Sequence, residues 1–382
     1  MHPVANLTQD DLADLPTPPG RYERHRPEST LLYQIIQEHW PRFQDQLMRQ
    51  GKLLPVYVVQ EFEQYLKCGR LEHGFLRVQC EDCHAERLVA FSCKNRGFCP
   101  SCGARRMADS AAHLVDRIFP ERPVRQWVLS VPYPLRFLFA TQPEVITKVL
   151  AIVHRVISTW LIKRIGLTVK SGAQSGAVTL IQHFGSALNA HLHFHMLYVD
   201  GVFDRHGRFY RLREPSTGDL DAITHTIAQR VSRYLEKAGY LVRDVESAYL
   251  DLQADQDNAM ANIIGASIAY RLAFGPNAGR RALTLQTIPA VTEDQFSQVS
   301  KQAGFSLHAG VSCKAGQRKK LERMCRYITR PPISEHRLSI AGNDNVVYAL
   351  KSPYSDGTTH VVLNPMEFIG RLASLVPRPR VN

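Results

Sequence analysis

The sequence lacks any run of 18 apolar residues, and its first twenty residues have neither a basic start nor an apolar core. Its richest apolar stretch, residues 145–165, is interrupted by five lysine, arginine or histidine residues. A membrane span and an export signal are therefore not expected, and we expect a cytoplasmic protein in a reducing compartment. No internal repeat is present. Residues 1–20 are acidic and rich in proline, and we expect them to form a disordered arm.

Length and composition describe an ordinary globular chain with an excess of positive charge. Of its 382 residues, 44% are hydrophobic and 21% are charged, which excludes collagen-like, mucin-like and largely disordered proteins. The length suggests two or three domains. Lys and Arg number 47 against 35 Asp and Glu, a formal net charge of +12. Such a charge favours a polyanionic partner, and we expect nucleic acid.

Eight cysteines in a chain expected to stay in a reducing compartment indicate metal ligands before disulfides. Two pairs have the spacing of zinc knuckles: Cys80 and Cys83, then fifteen residues, then Cys99 and Cys102. Four thiolates complete the tetrahedron of a structural zinc site and leave no position open for chemistry. The spacing therefore predicts one structural Zn²⁺ on these four residues.

Other residues near the two pairs leave alternatives open. Cys68, Cys93 and His73 are alternative ligands, although Cys93 also fits a small buried hydrophobe. Basic and aromatic residues alternate around the second pair, a mixture that suits contact with the DNA backbone and stacking on bases. A solvated basic face explains the same pattern. The basic candidates for DNA binding here are Lys94, Arg96, Arg105 and Arg106.

Three histidines alternate along a strand predicted at residues 191–199. His191, His193 and His195 are two residues apart, so on a strand all three point to one face while the apolar residues between them point to the other. Neutral imidazoles gathered on one face are ligands for a divalent metal. Buried structural histidines are the alternative, but three in register favour a metal site. The predicted ligands are His193 and His195, with His191 as a candidate third.

A strongly basic helix is predicted over residues 318–329 and is ended by Pro331 and Pro332. Its apolar residues recur at helical spacing, and Tyr327 lies at the edge of that stripe. Cations beside a tyrosine favour phenolate and neutralise an attacked phosphate, as a nucleophile requires. From the residues alone, an amphipathic surface helix with an exposed tyrosine is the simpler interpretation. Its basic candidates for DNA binding are Lys319, Lys320, Arg323 and Arg326.

Helical periodicity and alternation predict a mixed chain of helices and strands. The expected helices lie at about 29–68, 142–166, 220–238, 318–329 and 365–375. The expected strands lie at about 125–131, 177–183, 191–199, 345–350 and 358–363, with a hairpin leading into 208–212. Most of 240–318 has no clear periodicity.

Three segments, in this order, carry a resemblance to a known family. The chain resembles the rolling-circle transposases of insertion-sequence family ninety-one in the segments FSCKNRGFCPSCGARR, ALNAHLHFHMLYVDGVF and LERMCRYITRPPIS. These belong to the HUH class, named for a His–hydrophobic–His motif. The resemblance covers roughly residues 25–378, including the ending NPMEFIGRLASLVPRPR. The HUH pair falls on His193 and His195 and the nucleophile on Tyr327. Arg323 stands where some members carry a second tyrosine, so the chain is similar to the single-tyrosine branch.

The resemblance implies an α+β fold, in which an N-terminal helical and zinc-ribbon domain precedes an HUH endonuclease domain with an antiparallel sheet flanked by helices. The implied divisions are an arm at 1–20, a DNA-binding domain at 21–120, a catalytic domain at 121–340 and a C-terminal strand and helix extension at 341–382. The implied activity is nicking and rejoining of single-stranded DNA at element ends and targets through a 5′-phosphotyrosine. Catalytic Mg²⁺ or Mn²⁺ would act beside the structural Zn²⁺, and we expect a bacterial protein associated with the nucleoid during activity.

Three other functions remain as alternatives at this point. A rolling-circle replication initiator or conjugative relaxase would use the same His, metal and Tyr chemistry in another context. A zinc-ribbon DNA-binding regulator would have no catalysis. A metal-dependent hydrolase using the histidine strand would not need Tyr327.

Overall fold

The computed structural model describes residues 26–243, 248–251, 258–289 and 299–379, so the arm predicted at 1–20 lies outside the described residues. The helices are α1 (Leu31–Arg49), α2 (Val56–Lys67), α3 (Pro100–His113), α4 (Tyr133–Thr141), α5 (Pro143–Arg164), α6 (Thr217–Lys237), α7 (Ala259–Ile268), α8 (Arg318–Ile328) and α9 (Pro365–Ser374). The helix predicted at 29–68 is two helices, because Gly51 just after α1 takes a φ of 68° and turns the chain. The other predicted helices are confirmed within a few residues.

The strands are β1 (Phe75–Gln79), β2 (Glu86–Ala90), β3 (Val124–Ser130), β4 (Ala177–Phe184), β5 (Ala190–Val199), β6 (Gly201–Phe203), β7 (Phe209–Arg211), β8 (Leu241–Arg243), β9 (Ala248–Leu250), β10 (Leu283–Gln286), β11 (Val299–Gln302), β12 (Phe305–Cys313), β13 (Leu338–Ile340), β14 (Val346–Ala349) and β15 (Thr358–Leu363). All five predicted strands are confirmed, and β6 with β7 forms the predicted hairpin.

The central sheet has five antiparallel strands in the order β11-β12-β3-β5-β4. The histidine strand β5 lies between β3 and β4. Its register places His195 opposite Val128 of β3 and His193 opposite Gln182 of β4. Directly opposed residues in an antiparallel pair point to the same face. Gln182 therefore shares a face with the histidines.

Helices cover both faces of this sheet, and alternation along β5 decides which side chain meets which helix. One face, with Leu192, Phe194 and Met196, packs with the buried residues of α5 and α6. The opposite face carries the histidines and Leu197, which packs with the apolar stripe of α8 and the segment after α3. The basic helix thus lies over the histidine face, and the apolar stripe read from the sequence is what fixes it there.

A buried ion pair holds the end of β5 to its neighbours. The Arg125 guanidinium on β3 donates to both carboxylate oxygens of Asp200 at 3.0 and 3.1 Å, to Glu214 at 2.8 Å and to the carbonyl oxygen of Ala309 at 2.8 Å. Arg125 and Asp200 are both buried. Satisfying every partner in this way offsets the cost of removing the two charges from water.

A second core joins the two ends of the chain. Buried residues of α1 and α2 share one apolar cluster with α7, with α9 and with the four-stranded sheet β10-β15-β14-β13. Phe43 of α1 meets Phe274 edge to face, with ring centroids 5.1 Å apart. Asn364 caps α9 by accepting the N–H of Glu367, which sets the angle at which this helix enters the core. The C-terminal segment is therefore packed against the N-terminal helices.

Among the described residues, one helix, α5, is long and apolar enough to cross a membrane by length and composition alone. Eight of its residues are buried, and they pack in the core beneath the central sheet. That packing accounts for its apolar character.

Candidate functional site

Four cysteine thiols converge at the base of the β1–β2 hairpin. Cys68 follows α2, Cys93 follows β2, and Cys99 and Cys102 begin α3. Their sulfurs all lie within 4.8 Å of one another. Individual S···S separations are 3.8 Å for Cys68–Cys99, 3.6 Å for Cys68–Cys102 and 3.5 Å for Cys93–Cys102.

These separations fit a tetrahedral zinc ion. With Zn–S bonds of about 2.3 Å, the sulfurs of a tetrahedron lie about 3.8 Å apart. Hydrogen bonds from the neighbouring thiols lower the pKa of Cys102. The pKa of Cys99 is raised, because Cys99 is hydrogen-bonded to Cys102. Such a crowded group cannot ionise as a whole without a cation, and Zn²⁺ supplies the missing charge.

The ligand set predicted from spacing needs correction. The structure brings Cys99 and Cys102 together with Cys68 and Cys93, not with Cys80 and Cys83. The first predicted pair is exposed at the tip of the hairpin, and strands of five residues separate tip from base by roughly 15 Å. Cys93 is accordingly a cluster member and not an isolated buried hydrophobe. His73 is not part of the cluster.

Buried polar contacts hold the loop that carries Cys99. The carboxylate of Glu61 on α2 accepts the N–H of Gly97 at 2.9 Å, and burial raises the pKa of Glu61 to about 7. A Cβ on Gly97 would lie 2.6 Å from the Glu61 carboxylate oxygen, so a larger residue here would displace the carboxylate from this contact. From α3, the Arg106 guanidinium donates to the carbonyl oxygens of Lys94 and Asn95. This contact gives Arg106 a structural role.

On β5, the two predicted metal ligands face each other. Nε2 of His193 and Nε2 of His195 are 3.0 Å apart, and both side chains are buried. Nδ1 of His193 lies 2.8 Å from the carbonyl oxygen of His191, which can only accept, so Nδ1 carries the proton and Nε2 presents its lone pair. Burial lowers the pKa of His193 to about 4 and that of His195 to about 3. Both imidazoles are therefore neutral near neutral pH, as metal binding requires.

Sequence reasoning missed two glutamines around this pair. Oε1 of Gln182 lies 3.1 Å from Nε2 of His195, on which Nε2 of His193 also closes to 3.0 Å. Neighbouring ligands of an octahedral Mg²⁺ or Mn²⁺ with bonds of about 2.1 Å are about 3.0 Å apart, and the observed separations fit. Gln126 of β3 contacts Nδ1 of His195 at 2.8 Å and fixes the ring orientation. Gln182 was within a predicted strand, but only the register places it beside His193.

His191 does not take part in this convergence through its ring. Its ring centroid is 4.8 Å from that of His193, and its backbone carbonyl is what contacts the pair. Burial lowers the pKa of His191 to about 3.

Tyr327 lies over the histidine pair. Its ring centroid is 5.7 Å from that of His195, with the ring planes at 86°. The side chain is 38% exposed, so it borders both the buried ligands and solvent. Two cations flank its ring: the Arg330 guanidinium carbon is 4.3 Å and the Lys351 ammonium nitrogen 4.4 Å from the centroid. Lys351 follows β14 and lies far from Tyr327 in the sequence, so its position beside the ring could not be predicted from the sequence. Burial lowers the pKa of Lys351.

The predicted DNA-binding residues lie on two exposed surfaces. Lys94, Arg96 and Arg105 are exposed around the thiol cluster, and Lys319, Lys320 and Arg323 are exposed on α8. At 100° per residue, Lys320 and Arg323 lie on the side of α8 that carries Tyr327. Arg326 instead pairs with Glu322 at 2.8 Å. A cavity of about 220 Å³ lies beside the first surface, with Arg96, Arg106, Gln182 and Arg330 in its wall.

Comparisons with known proteins agree with this arrangement. Residues 176–382, more than half of the chain, match the family model described as "Putative transposase", and residues 35–131 match the one described as "Transposase zinc-binding domain". No curated protein and no solved structure matches the chain. A zinc-binding region followed by a transposase region defines a DNA-processing enzyme of the transposase class. The chain belongs to the transposases of insertion-sequence family ninety-one. The resemblance and the α+β fold class are confirmed.

Proposed function

We propose that this transposase nicks and rejoins single-stranded DNA at element ends, with Tyr327 as the nucleophile. One observation carries the proposal: Tyr327 on α8 lies against the His193–His195 pair on β5. A nucleophile and a cation site must share one phosphate for this chemistry. Neither a DNA-binding regulator nor a simple hydrolase needs that pairing.

The proposed ligands of a catalytic Mg²⁺ or Mn²⁺ are His193, His195 and Gln182. When bound, the cation supplies Lewis acidity that polarises a phosphate oxygen. All three donors are neutral, so the site keeps the full charge of the cation for the phosphate. The proposed ligands of the structural zinc are the four thiols of Cys68, Cys93, Cys99 and Cys102.

In the proposed step, the phenol of Tyr327 loses its proton and its oxygen forms a bond to phosphorus. The bond from phosphorus to the 3′ oxygen breaks, and that oxygen takes up a proton. The products are a 5′-phosphotyrosine and a free 3′-hydroxyl. The phosphodiester energy is kept in the covalent bond, so a target 3′-hydroxyl can reverse the step without ATP. Arg330 and Lys351 flank the ring and neutralise charge on the phosphate and phenolate.

The substrate is proposed to be unpaired DNA because the ligand pair is buried beneath Tyr327. His193 and His195 are 7% and 2% exposed, and a flexible single strand can bring a phosphate into such a recess more readily than a duplex can. The two basic surfaces described above would hold the strand on either side through its phosphates.

The test uses a single-stranded oligonucleotide of the element end, labelled at either terminus, with Mn²⁺. A 5′-phosphotyrosine predicts a denaturation-resistant adduct with the 3′ label and a shortened free fragment with the 5′ label. Tyr327→Phe should abolish both products. Tyr249→Phe is the control, because Tyr249 is exposed on β9, outside this site. An adduct carrying the 5′ label would contradict the proposed polarity.

A further inference from the structure

The β1–β2 hairpin projects from the molecule with both faces exposed. Every strand residue from Phe75 to Gln79 and from Glu86 to Val89 is exposed. One face presents Leu76, Val78 and Val89, which are 57%, 50% and 38% exposed. A two-stranded hairpin alone is marginally stable in water and requires another surface or a covalent or metal tie. The thiol cluster ties its base, and the tip has no such tie within the described chain.

Two thiols occupy the tip. Cys80 and Cys83 are both exposed, and their side chains contact each other. The turn between the strands is closed by two backbone hydrogen bonds of 3.0 Å, from the N–H of Cys80 to the carbonyl oxygen of Ala85 and from the N–H of His84 to the carbonyl oxygen of Cys80. His84 takes a φ of 54°. This turn holds the two thiols together at one end of the hairpin, in the C-x2-C spacing from which zinc takes two ligands.

This pair is half of a zinc site. Zinc in structural sites takes four ligands. Within the part of the chain that the structure describes, the four-thiol cluster is the only group of three or more His, Cys, Asp or Glu ligand atoms close enough to share an ion. The tip therefore offers two thiols to solvent, and among the described residues it has no further ligand for a four-coordinate zinc.

We propose that two copies of this chain join tip to tip through one Zn²⁺ bound by Cys80 and Cys83 of each. A two-fold axis through the ion supplies the same pair twice, so the half-site is self-complementary. This interface is independent of the chemistry proposed at Tyr327, and each dimer carries two such tyrosines.

The test measures mass and metal content of the full-length, reduced protein. We expect a dimer with about 1.5 zinc ions per chain, one in each base cluster and one shared. The double variant Cys80→Ser/Cys83→Ser should be a monomer that keeps the base-cluster zinc, about one per chain. Glu81→Gln, between the two thiols, is the matched control and should remain a dimer.

Three results would overturn the proposal. One is a wild-type monomer at micromolar concentration with about one zinc per chain. The second is a dimer that persists in the double variant. The third is a dimer that survives chelator but is lost on adding reductant, since that behaviour indicates a disulfide between tips. Loss of DNA cleavage by Tyr327→Phe is unaffected by any of these outcomes, so the two proposals fail separately.

Discussion

The ring of Tyr327 stands edge-on to the imidazole of His195, with centroids 5.7 Å apart and planes at 86°. The two residues come from α8 and β5, elements that meet because the apolar stripe of α8 packs on the histidine face of the sheet. The same packing leaves Tyr327 at the solvent edge, where Arg330 and Lys351 flank it. The predictions below test the parts of this arrangement one at a time.

Gln182 is predicted to complete the catalytic metal site. Gln182→Ala should raise the Mn²⁺ concentration for half-maximal cleavage by at least about tenfold, because one of the three proposed ligands is lost. Gln182→Glu should lower that concentration, since a carboxylate binds the cation more strongly than an amide. The measurement is a Mn²⁺ titration of cleavage, with Gln229→Ala, an exposed change on α6, as the control. An unchanged titration for Gln182→Ala would remove this residue from the site.

The zinc ligand set is tested by comparing the base and the tip of the hairpin. Cys68→Ser should release the zinc of the base cluster and destabilise the region from α2 to α3, because three thiolates no longer close the tetrahedron. Cys80→Ser should leave that zinc in place and the region from α2 to α3 folded. Metal analysis and calorimetry distinguish the two sets. Loss of that zinc in Cys80→Ser but not in Cys68→Ser would restore the assignment based on spacing.

The sequence predicted the elements of this fold better than it predicted their contacts. Alternation along β5 predicted that His193 and His195 share one face, and the stripe of α8 placed Tyr327 at its edge, because each pattern is local and repeats at the period of its element. Helix ends were marked by local residues, such as Asn364 before α9. The placement of a side chain was therefore predictable from the sequence wherever it depended on one periodic segment.

What the sequence did not predict depends on pairing between distant segments. Gln182 joins His193 only through the β4–β5 register, and Lys351 reaches Tyr327 only because the C-terminal sheet packs beside α8. The thiol cluster was misassigned because a hairpin was inserted between Cys68 and Cys93. In the sequence, the two closely spaced cysteines at the hairpin tip have the spacing of ligands to the same zinc ion as Cys99 and Cys102. In the structure, the two strands hold them away from that zinc site.

The neutral, buried histidines predict a pH dependence of stability in the metal-free protein. Burial lowers the pKa of His193 to about 4 and of His195 to about 3. Below about pH 6.5 the unfolded chain takes up protons on these imidazoles while the folded chain does not, so the free energy of unfolding falls as the pH drops toward 4. The slope is at most about 1.4 kcal/mol per pH unit for each imidazole.

Urea unfolding between about pH 7 and about pH 4.5 measures this slope. Replacing His195 by Gln should make the slope shallower, because one buried imidazole is removed. His225→Gln, an exposed change on α6, should leave the slope unchanged. A His195→Gln variant with the wild-type slope would show that this imidazole is not held neutral by burial.

Lys351 is predicted to support the chemical step. Lys351→Met should slow cleavage on the order of 100-fold while single-strand affinity and Mn²⁺ affinity stay nearly constant, because one of two cations beside the reacting groups is lost. Lys351→Arg should retain most of the rate. Single-turnover kinetics at saturating DNA separate the step from binding, and Lys237→Met at the end of α6 is the exposed control. A loss of affinity equal to the loss of rate would indicate strand binding alone.

The central claim is that Tyr327 becomes covalently joined to DNA. The most direct measurement is mass spectrometry of the denatured wild-type adduct after nuclease and protease digestion, formed on a single-stranded element end with Mn²⁺. The account predicts one modified peptide containing Tyr327, with the nucleotide joined through its 5′ phosphate. A nucleotide on Tyr354, on the buried Tyr348 or on any residue other than Tyr327 would contradict it.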